Sequence, residues 1–211
     1  PWEGDAMSED VIRTVDELRD VVGHPLPRTR DKVTDRLDEV HRRWLEHTPF
    51  VVLATAGSEG RTDASPKGDP PGQLVHVIDE RTVALAERPG NRRVDGYLNV
   101  LDNPHAGLVC IIPGRGDTLR INGRARLVRD APWFDEMVVK DHRPLLALVI
   151  DVEEVFFHCA KAFMRSRMWH PEDWDPTAVS SRAEIARLLE RPDETIEALE
   201  EYYGSQYSTG L

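Results

Sequence analysis

The segment that most restricts the fold runs from residue 119 to residue 127, where apolar and polar side chains alternate without interruption. The apolar or small positions are Leu119, Ile121, Gly123, Ala125 and Leu127, and the polar ones between them are Arg120, Asn122, Arg124 and Arg126. Successive side chains of a β-strand point to opposite faces of the sheet. The segment is therefore predicted to be a strand with one apolar and one basic face.

Short apolar runs separated by turn residues surround this segment on both sides. The predicted strands are the runs 50–56, 61–65, 73–78, 82–86, 106–112, 145–152 and 155–160. Most of them are linked by short polar turns, and this succession favours an antiparallel arrangement over a parallel sheet with crossover helices. The predicted fold class is mainly β (α+β), an antiparallel β-barrel of about seven strands with flanking helices.

Helical spacing of apolar residues marks the two ends of the chain and one insert between the strands. The predicted helices are Val11–Val22, Val33–Trp44, Asn91–Leu101, Pro132–Val139, a stretch that Ser181 and Glu184 would cap, and a short helix beginning at Pro192. Glu184 follows Ser181 by three residues, which is the spacing of a capping box. The chain thus divides into an N-terminal helical segment (1–48), the barrel (49–170) and a C-terminal helical extension (171–211), within one structural domain.

A formal charge of −11 over 211 residues limits the partners of the chain. Non-specific binding to nucleic acid depends on neutralising phosphates with basic side chains, so no nucleic-acid partner is expected. No apolar run approaches the roughly 20 residues that cross a bilayer, and no basic-then-apolar leader opens the sequence, so we expect a cytoplasmic protein without a membrane partner. Cys110 and Cys159 lie in apolar runs without CxxC spacing and are expected to be buried free thiols, with a disulfide between them as the alternative.

In so acidic a chain an anionic ligand needs a local group of basic residues, and two segments provide one. Ser65–Gly68, which reads Ser-Pro-Lys-Gly, follows a predicted strand and offers a hydroxyl, an ammonium and accessible backbone amides. Arg88–Arg93 leads into a predicted helix, where N-terminal amides and guanidinium groups suit a dianionic phosphate. The ordinary alternatives are a surface loop with a solvated lysine, and a helix start whose arginines pair with nearby acids such as Asp95.

Two further segments place polar side chains beside apolar ones. Asp117–Gly123 projects polar side chains from one strand face, which would line a flat aromatic ligand or face solvent. Lys161–His170 combines cations, methionine sulfur and a tryptophan after the last strand, a composition common at interfaces and over aromatic cofactors. Packing of a C-terminal segment onto the barrel accounts for it nearly as well.

Taken in order, these pieces resemble the flavin mononucleotide-binding split barrels related to pyridoxamine 5′-phosphate oxidase. The resemblance covers about residues 49 to 169. It rests on the strand Phe50–Ala56, the Ser-Pro-Lys-Gly segment, the Pro-Gly-Asn-Arg-Arg loop, the Asn-Pro-His-Ala that closes the inserted helix, and the strand Thr118–Gly123. It implies an antiparallel split β-barrel with flanking helices, flavin mononucleotide (FMN) as the cofactor, and a homodimer with the cofactor at the interface.

The resemblance also implies roles for individual residues. Lys67 would contact the phosphate at the end of the second strand, and Arg92 or Arg93 would do so at the helix start. Thr118 and Arg120 would lie against the flavin, and the segment that ends at Trp169 would approach the cofactor of the partner subunit. The predicted cofactor-binding residues are Ser65, Pro66, Lys67, Gly68, Arg88, Asn91, Arg92, Arg93, Thr118, Arg120, Lys161, Arg165 and Trp169.

Among the departures of the chain from the classical oxidases of this family, two bear on the reaction. Thr62 stands where an arginine would precede the phosphate-contacting lysine, and the Arg-Leu-x-Pro ending is absent. The reaction that gave the family its name is therefore not expected. The predicted function is that of an FMN-dependent oxidoreductase with an unidentified small-molecule substrate and no assigned catalytic side chain.

The alternative is a non-catalytic carrier or sensor of flavin or haem on the same barrel, and a deazaflavin-dependent reductase is a third hypothesis. Haem would need an axial ligand from His76, His158 or His170, although His158 lies in an apolar strand and is expected to be a core histidine. The eight histidines include no HExxH motif and no closely spaced pair, so no metal site is expected.

Overall fold

A computed structural model of the chain describes residues 10–207, so the outer ends of the predicted helical segments 1–48 and 171–211 lie outside the described residues. The chain forms two compact units, the first ending at Phe163 and the second beginning at Met164. The division into the segments 1–48, 49–170 and 171–211 stays a prediction. None of the described helices is long and apolar enough to cross a membrane.

The first unit contains the strands and most of the helices. In chain order it has α1 (Val15–Val22), α2 (Pro27–Arg30), α3 (Glu39–Glu46), β1 (Phe50–Ala56), β2 (Thr62–Gly68), β3 (Val75–Val77), β4 (Thr82–Glu87), α4 (Asp95–Asp102), β5 (His105–Ile111), β6 (Thr118–Val128), a 3₁₀ helix (Pro132–Met137) and β7 (Leu146–His158). The helix α5 (Lys161–Ser166) spans the division between the units.

All seven strands belong to one sheet, in the order β2-β1-β5-β6-β7-β4-β3, and every neighbouring pair is antiparallel. The sheet curls into a split barrel whose two edges are β2 and β3. The predicted fold class, an antiparallel split β-barrel with flanking helices, is confirmed. The alternating segment that predicted it is β6, the central strand, with Leu119 and Ile121 fully buried and Arg124 and Arg126 exposed.

A β-bulge between β6 and β7 bends the centre of the sheet. Asn122 pairs with Glu154 while Gly123 pairs with Val152, so Glu153 is the extra residue on β7. A Cβ atom at residue 123 would lie 2.0 Å from the backbone oxygen of Asp151. Only glycine fits this position, and the bulge increases the local twist that a closing sheet needs.

The main core lies on the inner face of the barrel. Its fully buried side chains include Leu45, Leu53, Leu85, Leu108, Leu119, Ile121, Leu148 and Ile150. Leu45 and Trp44 come from α3, whose one apolar side packs onto this core. A second cluster covers part of the other face, where Phe134 and Met137 of the 3₁₀ helix pack on Ala84, Ala86, Ala147 and Val149.

The described part of the second unit, which ends at residue 207, contains only helical elements. They are two 3₁₀ turns (Pro171–Asp173 and Pro176–Ala178), α6 (Arg182–Leu189), α7 (Ile196–Glu201) and a π-helical turn (Tyr202–Gln206). The Ser181–Glu184 capping box is present as predicted. The helix expected at Pro192 instead begins at Ile196, because Thr195 accepts a hydrogen bond from the Ala198 amide and caps it there.

Several element boundaries in the first unit differ from the prediction. The first helix begins at Val15 rather than Val11, because Thr14 caps it there. The second strand does not end at Ser65 but continues to Gly68, because an edge strand accommodates Pro66. The inserted helix begins at Asp95 rather than Asn91. The two predicted strands after residue 145 are one strand, β7, which pairs along β6 through the bulge. The helix predicted from Val33 begins only at Glu39, since Thr34 forms a bridge with Val155.

The prediction for the two cysteines is half right. Both thiols are free, and Cys110 is buried, which raises the pKa of its thiol to about 12. Cys159 is exposed, because β7 ends one residue earlier, at His158. His158 is exposed as well, so its assignment as a core histidine is wrong.

Candidate functional site

Lys67 lies in a largely buried ion pair at the split of the barrel. Its ammonium nitrogen is 2.7 Å from Oε2 of Glu87, and the two side chains are only 17% and 19% exposed. The Tyr97 hydroxyl donates a hydrogen bond to the same Glu87 oxygen, and the lysine nitrogen lies 4.9 Å from the centre of the Tyr97 ring. Burial and the Glu87 carboxylate both raise the pKa of the Tyr97 hydroxyl, so it stays a neutral donor.

This ion pair joins two strands that are not neighbours in the sheet. Lys67 belongs to the edge strand β2, and Glu87 ends β4, which lies next to the opposite edge. Side chains alternate along β2, so Ser65 and Lys67 lie on its less exposed side while Pro66 and Gly68 are exposed on the other. The four predicted residues Ser65–Gly68 are therefore divided between two faces of a strand and do not form one loop.

A second ion pair lies next to the first. Arg88 Nε is 2.7 Å from Oδ2 of Asp69, with side chains 19% and 9% exposed. The same guanidinium donates a hydrogen bond to the backbone oxygen of Gln73 at 3.3 Å. Arg88 thus connects the segment after β2 with the segment after β4, and its charge is already balanced by a buried carboxylate.

The basic segment 91–93 precedes α4 without capping it. The Asn91 side chain accepts a hydrogen bond from the Arg93 amide at 2.9 Å, and α4 begins only at Asp95. Arg92 adopts a left-handed backbone conformation (φ 61°) and is exposed. Arg93 pairs with Asp95 at 2.6 Å, and this contact lowers the pKa of the Asp95 carboxyl. Asn91 is therefore not the N-cap of α4, whereas exposed arginines are present ahead of the helix start.

Thr118 and Arg120 lie on the other face of the sheet from Lys67. Across the strands, Lys67 pairs with Val51, Val51 with Cys110, and Cys110 with Leu119, so Lys67 shares a face with the buried Leu119. Thr118 and Arg120 flank Leu119 and therefore point to the opposite face. Thr118 is buried, and the guanidinium of Arg120 lies 5.1 Å from the ring centre of Phe156. One chain thus presents the predicted residues on two faces of one sheet.

The remaining predicted residues follow the last strand along the chain. Lys161 is the first residue of α5 and is exposed. Arg165 and Trp169 belong to the second unit, where Arg165 is exposed and Trp169 is half-buried. Their participation in a cofactor site stays a prediction.

The sequence interpretation missed Glu87, Tyr97 and Asp69, the partners of the predicted cations. Glu87 is 20 residues from Lys67 along the chain, and Asp69 is 19 residues from Arg88. The only local signal is that Glu87 directly follows the buried run 83–86, since a charged residue that ends a buried strand needs a partner.

A separate shallow cleft of about 370 Å³ lies where β1, β5 and the bulge meet. Its floor is made of small residues, among them Ala54 and Gly107, and Glu153 of the bulge lines its rim. His105 also lines it, with its Nδ1 2.8 Å from Oδ1 of Asn103. None of the predicted cofactor-binding residues lines this cleft.

The histidines considered as haem ligands lie in three different environments. His76 is half-buried and stacks on Trp133 with ring centres 5.8 Å apart, while His158 and His170 are exposed. Among residues 10–207, the only trio of possible metal ligands is His170, Glu172 and Asp173, all exposed. Arg167 forms ion pairs with both carboxylates of this trio, which opposes the binding of a cation.

The sequence of the barrel matches the profile of one known protein family. The sequence profile of the family described as pyridoxamine 5′-phosphate oxidase matches residues 37–159, more than half of the chain. No curated protein matches the sequence.

Solved structures with a similar chain path include PhzG from Burkholderia lata, crystallised with tetrahydrophenazine-1-carboxylic acid (17% identity, 64% of this chain, 85% of that chain, TM-score 0.42). A protein related to general stress protein 26 from Clostridium acetobutylicum matches with 16% identity over 58% of this chain and 91% of that chain, at a TM-score of 0.43. HutZ, the haem storage protein from Vibrio cholerae, matches with 14% identity over 59% and 94%, at a TM-score of 0.41. At these values the similarities say nothing about a ligand of this chain.

Proposed function

Since the chain belongs to the pyridoxamine 5′-phosphate oxidase family, we propose that it is an FMN-dependent oxidoreductase with a small-molecule substrate. The observation that carries the proposal is the position of Lys67, an ammonium held at the split of the barrel rather than free in solvent. The family resemblance assigns the phosphate contact to this lysine. The serine hydroxyl two residues earlier lies on the same side of β2.

The donors around the split fit a phosphate group. Phosphate is bound best by guanidinium and ammonium groups together with hydroxyl or amide donors. Lys67, Arg92 and Arg93 supply the charges, and Ser65 supplies a hydroxyl. Arg92 is exposed and, within the described part of the chain, has no ion-pair partner, so its guanidinium is free to turn toward a ligand.

The bound flavin would supply the electron transfer, which the protein directs by binding and orientation. Lys67, Arg92 and Arg93 would hold the phosphate and so fix the position of the ring. Thr118 would offer its hydroxyl, and Arg120 would place a positive charge beside the ring. No catalytic role is assigned to these five residues, so the contribution proposed for them is positioning and charge.

We propose that two copies of the chain form the complete site. Residues assigned to one flavin lie on both faces of the sheet, so a single chain does not gather them around one ligand. On the outer face of β1 and β5, Phe50 pairs with Ile111 and Val52 with Val109, and all four apolar side chains are partly or fully exposed. A second copy would cover this apolar surface and bring its own residues to the flavin.

The second candidate is a non-catalytic flavin or haem carrier. Its haem version is favoured by the internal pairing of three predicted cations. Lys67, Arg88 and Arg93 each already bind a carboxylate, which reduces their attraction for a cofactor phosphate. For haem, the exposed His158 and the half-buried His76 are the available axial ligands in the first unit. A deazaflavin-dependent reductase is the third hypothesis, on the same set of phosphate donors.

The first experiment is an absorption spectrum of the purified protein, followed by titration with FMN, a deazaflavin and haemin. We expect the two visible bands of an oxidised flavin and tightest binding of FMN. A single Soret band would favour the haem carrier, and preferential binding of deazaflavin would favour the third hypothesis. A protein that binds none of the three would refute the proposal.

The second experiment tests for turnover by adding reduced nicotinamides to the FMN-loaded protein. FMN binding without turnover would favour the flavin carrier.

The phosphate assignment is tested by combining Lys67→Ala with Arg92→Ala. We expect the affinity for FMN to fall by about a hundredfold or more, as for the loss of two charge-assisted contacts. Arg126→Ala is the matched control, because Arg126 is an exposed strand arginine paired with Asp151. Unchanged FMN affinity in the double variant would refute the assignment of the phosphate to this segment.

A further inference from the structure

Glu87 is the feature of the site that the family resemblance does not explain. It places a carboxylate 2.7 Å from the one ammonium assigned to the phosphate. The Tyr97 hydroxyl donates a hydrogen bond to the same oxygen, and this second contact helps to hold the carboxylate beside Lys67. Both members of the pair are more than four-fifths buried, which separates them from ordinary surface ion pairs.

The pair explains how a lysine is kept at the split when no ligand is bound. A largely buried ammonium without a partner is costly, and removing one member of such a pair leaves an uncompensated charge. Glu87 neutralises Lys67, and the face of the Tyr97 ring adds a favourable contact with the ammonium. The chain therefore contains its own anion at the place where the cofactor anion is proposed to bind.

A phosphate that reaches Lys67 has to approach this carboxylate. Hydrogen bonding to the same ammonium brings the two anions within a few ångströms of each other, and the repulsion is strong because the site is largely shielded from water. The phosphate must displace Glu87 from Lys67 or share the lysine with it. Either route weakens the binding of a phosphorylated ligand, while an uncharged ligand of the same shape avoids this cost.

We propose that Glu87 is an internal counter-ion that competes with the cofactor phosphate for Lys67 and thereby sets how strongly the protein prefers phosphorylated over unphosphorylated flavin. This inference rests on the proposed function, because it assumes that the phosphate binds at Lys67. It assigns to Glu87 a role in selectivity, with no part in electron transfer.

The test compares FMN with riboflavin, which has the same ring and side chain without the phosphate. We expect Glu87→Gln to strengthen the binding of FMN by about tenfold or more, as for the removal of one close like charge. The affinity for riboflavin should change by less than about twofold, since its binding involves no anion at Lys67. Both dissociation constants are measured by quenching of flavin fluorescence in the full-length protein.

Three further variants make the test specific. Glu59→Gln removes a carboxylate from the exposed turn between β1 and β2 and should leave both affinities unchanged. Combining Glu87→Gln with Lys67→Gln should abolish the gain in FMN affinity, because the gain depends on the freed lysine. If Glu87→Gln does not fold, the same comparison is made with Glu87→Thr. This smaller neutral side chain also removes the carboxylate and leaves room for water beside Lys67.

The outcomes separate this inference from the proposed function. If neither the wild type nor the variants bind FMN, the proposed function fails and the inference fails with it. If the wild type binds FMN and Glu87→Gln binds it with the same or lower affinity, the inference alone is overturned. A gain in FMN affinity that persists in the double variant without Lys67 would also overturn it. Glu87 would then repel the phosphate by its charge alone, without competing for Lys67.

Discussion

Gly123 is the residue on which the course of the central strands depends. A methyl group at this position would overlap the backbone oxygen of Asp151, which is 2.0 Å away, and backbone atoms of a central strand cannot move aside cheaply. Gly123→Ala should lower the free energy of unfolding by about 3 kcal/mol. Urea unfolding measures the change. Gly68→Ala is the control, because its nearest contact would be an ordinary 3.6 Å, and a similarly large loss there would refute the explanation.

His41 connects the stability of the fold with pH. The ring is buried, stacks on Phe157 at 5.3 Å, and accepts a hydrogen bond from the Asp38 amide through Nδ1. Burial lowers the pKa of His41 from 6.5, and the Asp38 charge offsets this only in part. As the pH falls below 6.5, the unfolded chain takes up the proton first, so stability decreases with falling pH in this window.

The His41 prediction is checked by urea unfolding at about pH 8 and about pH 5, on the two sides of the ordinary histidine range. His41→Asn keeps a side-chain acceptor for the Asp38 amide and removes the titrating ring, so it should reduce the difference in unfolding free energy between the two pH values. His24→Asn changes an exposed histidine and should leave the difference as in the wild type. Equal differences in all three proteins would show that His41 does not contribute.

At the scale of elements, the two ion pairs at the split hold the ends of β2 and β4 together. Arg88→Ala would leave the Asp69 carboxylate, which is 9% exposed, without its partner. We expect a loss of about 3 kcal/mol in the free energy of unfolding. Arg126→Ala breaks an ion pair whose two side chains are each 53% exposed, and it should cost less than about 1 kcal/mol. Similar losses in the two variants would show that the Arg88–Asp69 ion pair at the split stabilises the fold no more than an exposed ion pair does.

The strands were predictable from sequence wherever a local pattern decides them. β1 has the predicted bounds, and β6 is the alternating segment extended by one residue at each end. β2 was predicted too short because Pro66 reads as a strand breaker, yet an edge strand has no partner that needs the missing amide proton. Whether a strand lies at an edge depends on the order of the sheet, which no local pattern contains.

The candidate site was predictable only in part, because its contacts join residues that are far apart in the sequence. Lys67 and the arginines of segment 91–93 are visible as a basic group in an acidic chain. Their carboxylate partners are not, because Glu87 comes into contact with Lys67 only when the barrel curls and its two halves approach each other. A cation predicted from sequence thus proves to be half of a pair.

At the scale of the whole molecule, the proposed homodimer can be tested at the outer face of β1 and β5. The outer face of β1 and β5 is apolar at Val52 and Val109, which pair with each other and are only half-buried. A charge introduced there has to be desolvated if a second copy covers the face, while in a monomer it stays in water at little cost. The oligomeric state of a charged variant therefore reports directly on the proposed interface.

Val109→Arg should convert the proposed homodimer into a monomer and lower the affinity for FMN by about tenfold or more, since the second copy is proposed to complete the flavin site. Light scattering during size-exclusion chromatography gives the mass, and fluorescence quenching gives the affinity. Val40→Arg is the matched control, because Val40 is 56% exposed on α3, away from this face. A wild type that is monomeric and binds FMN would refute the interface. A dimeric Val109→Arg variant would show that the copies meet through another surface.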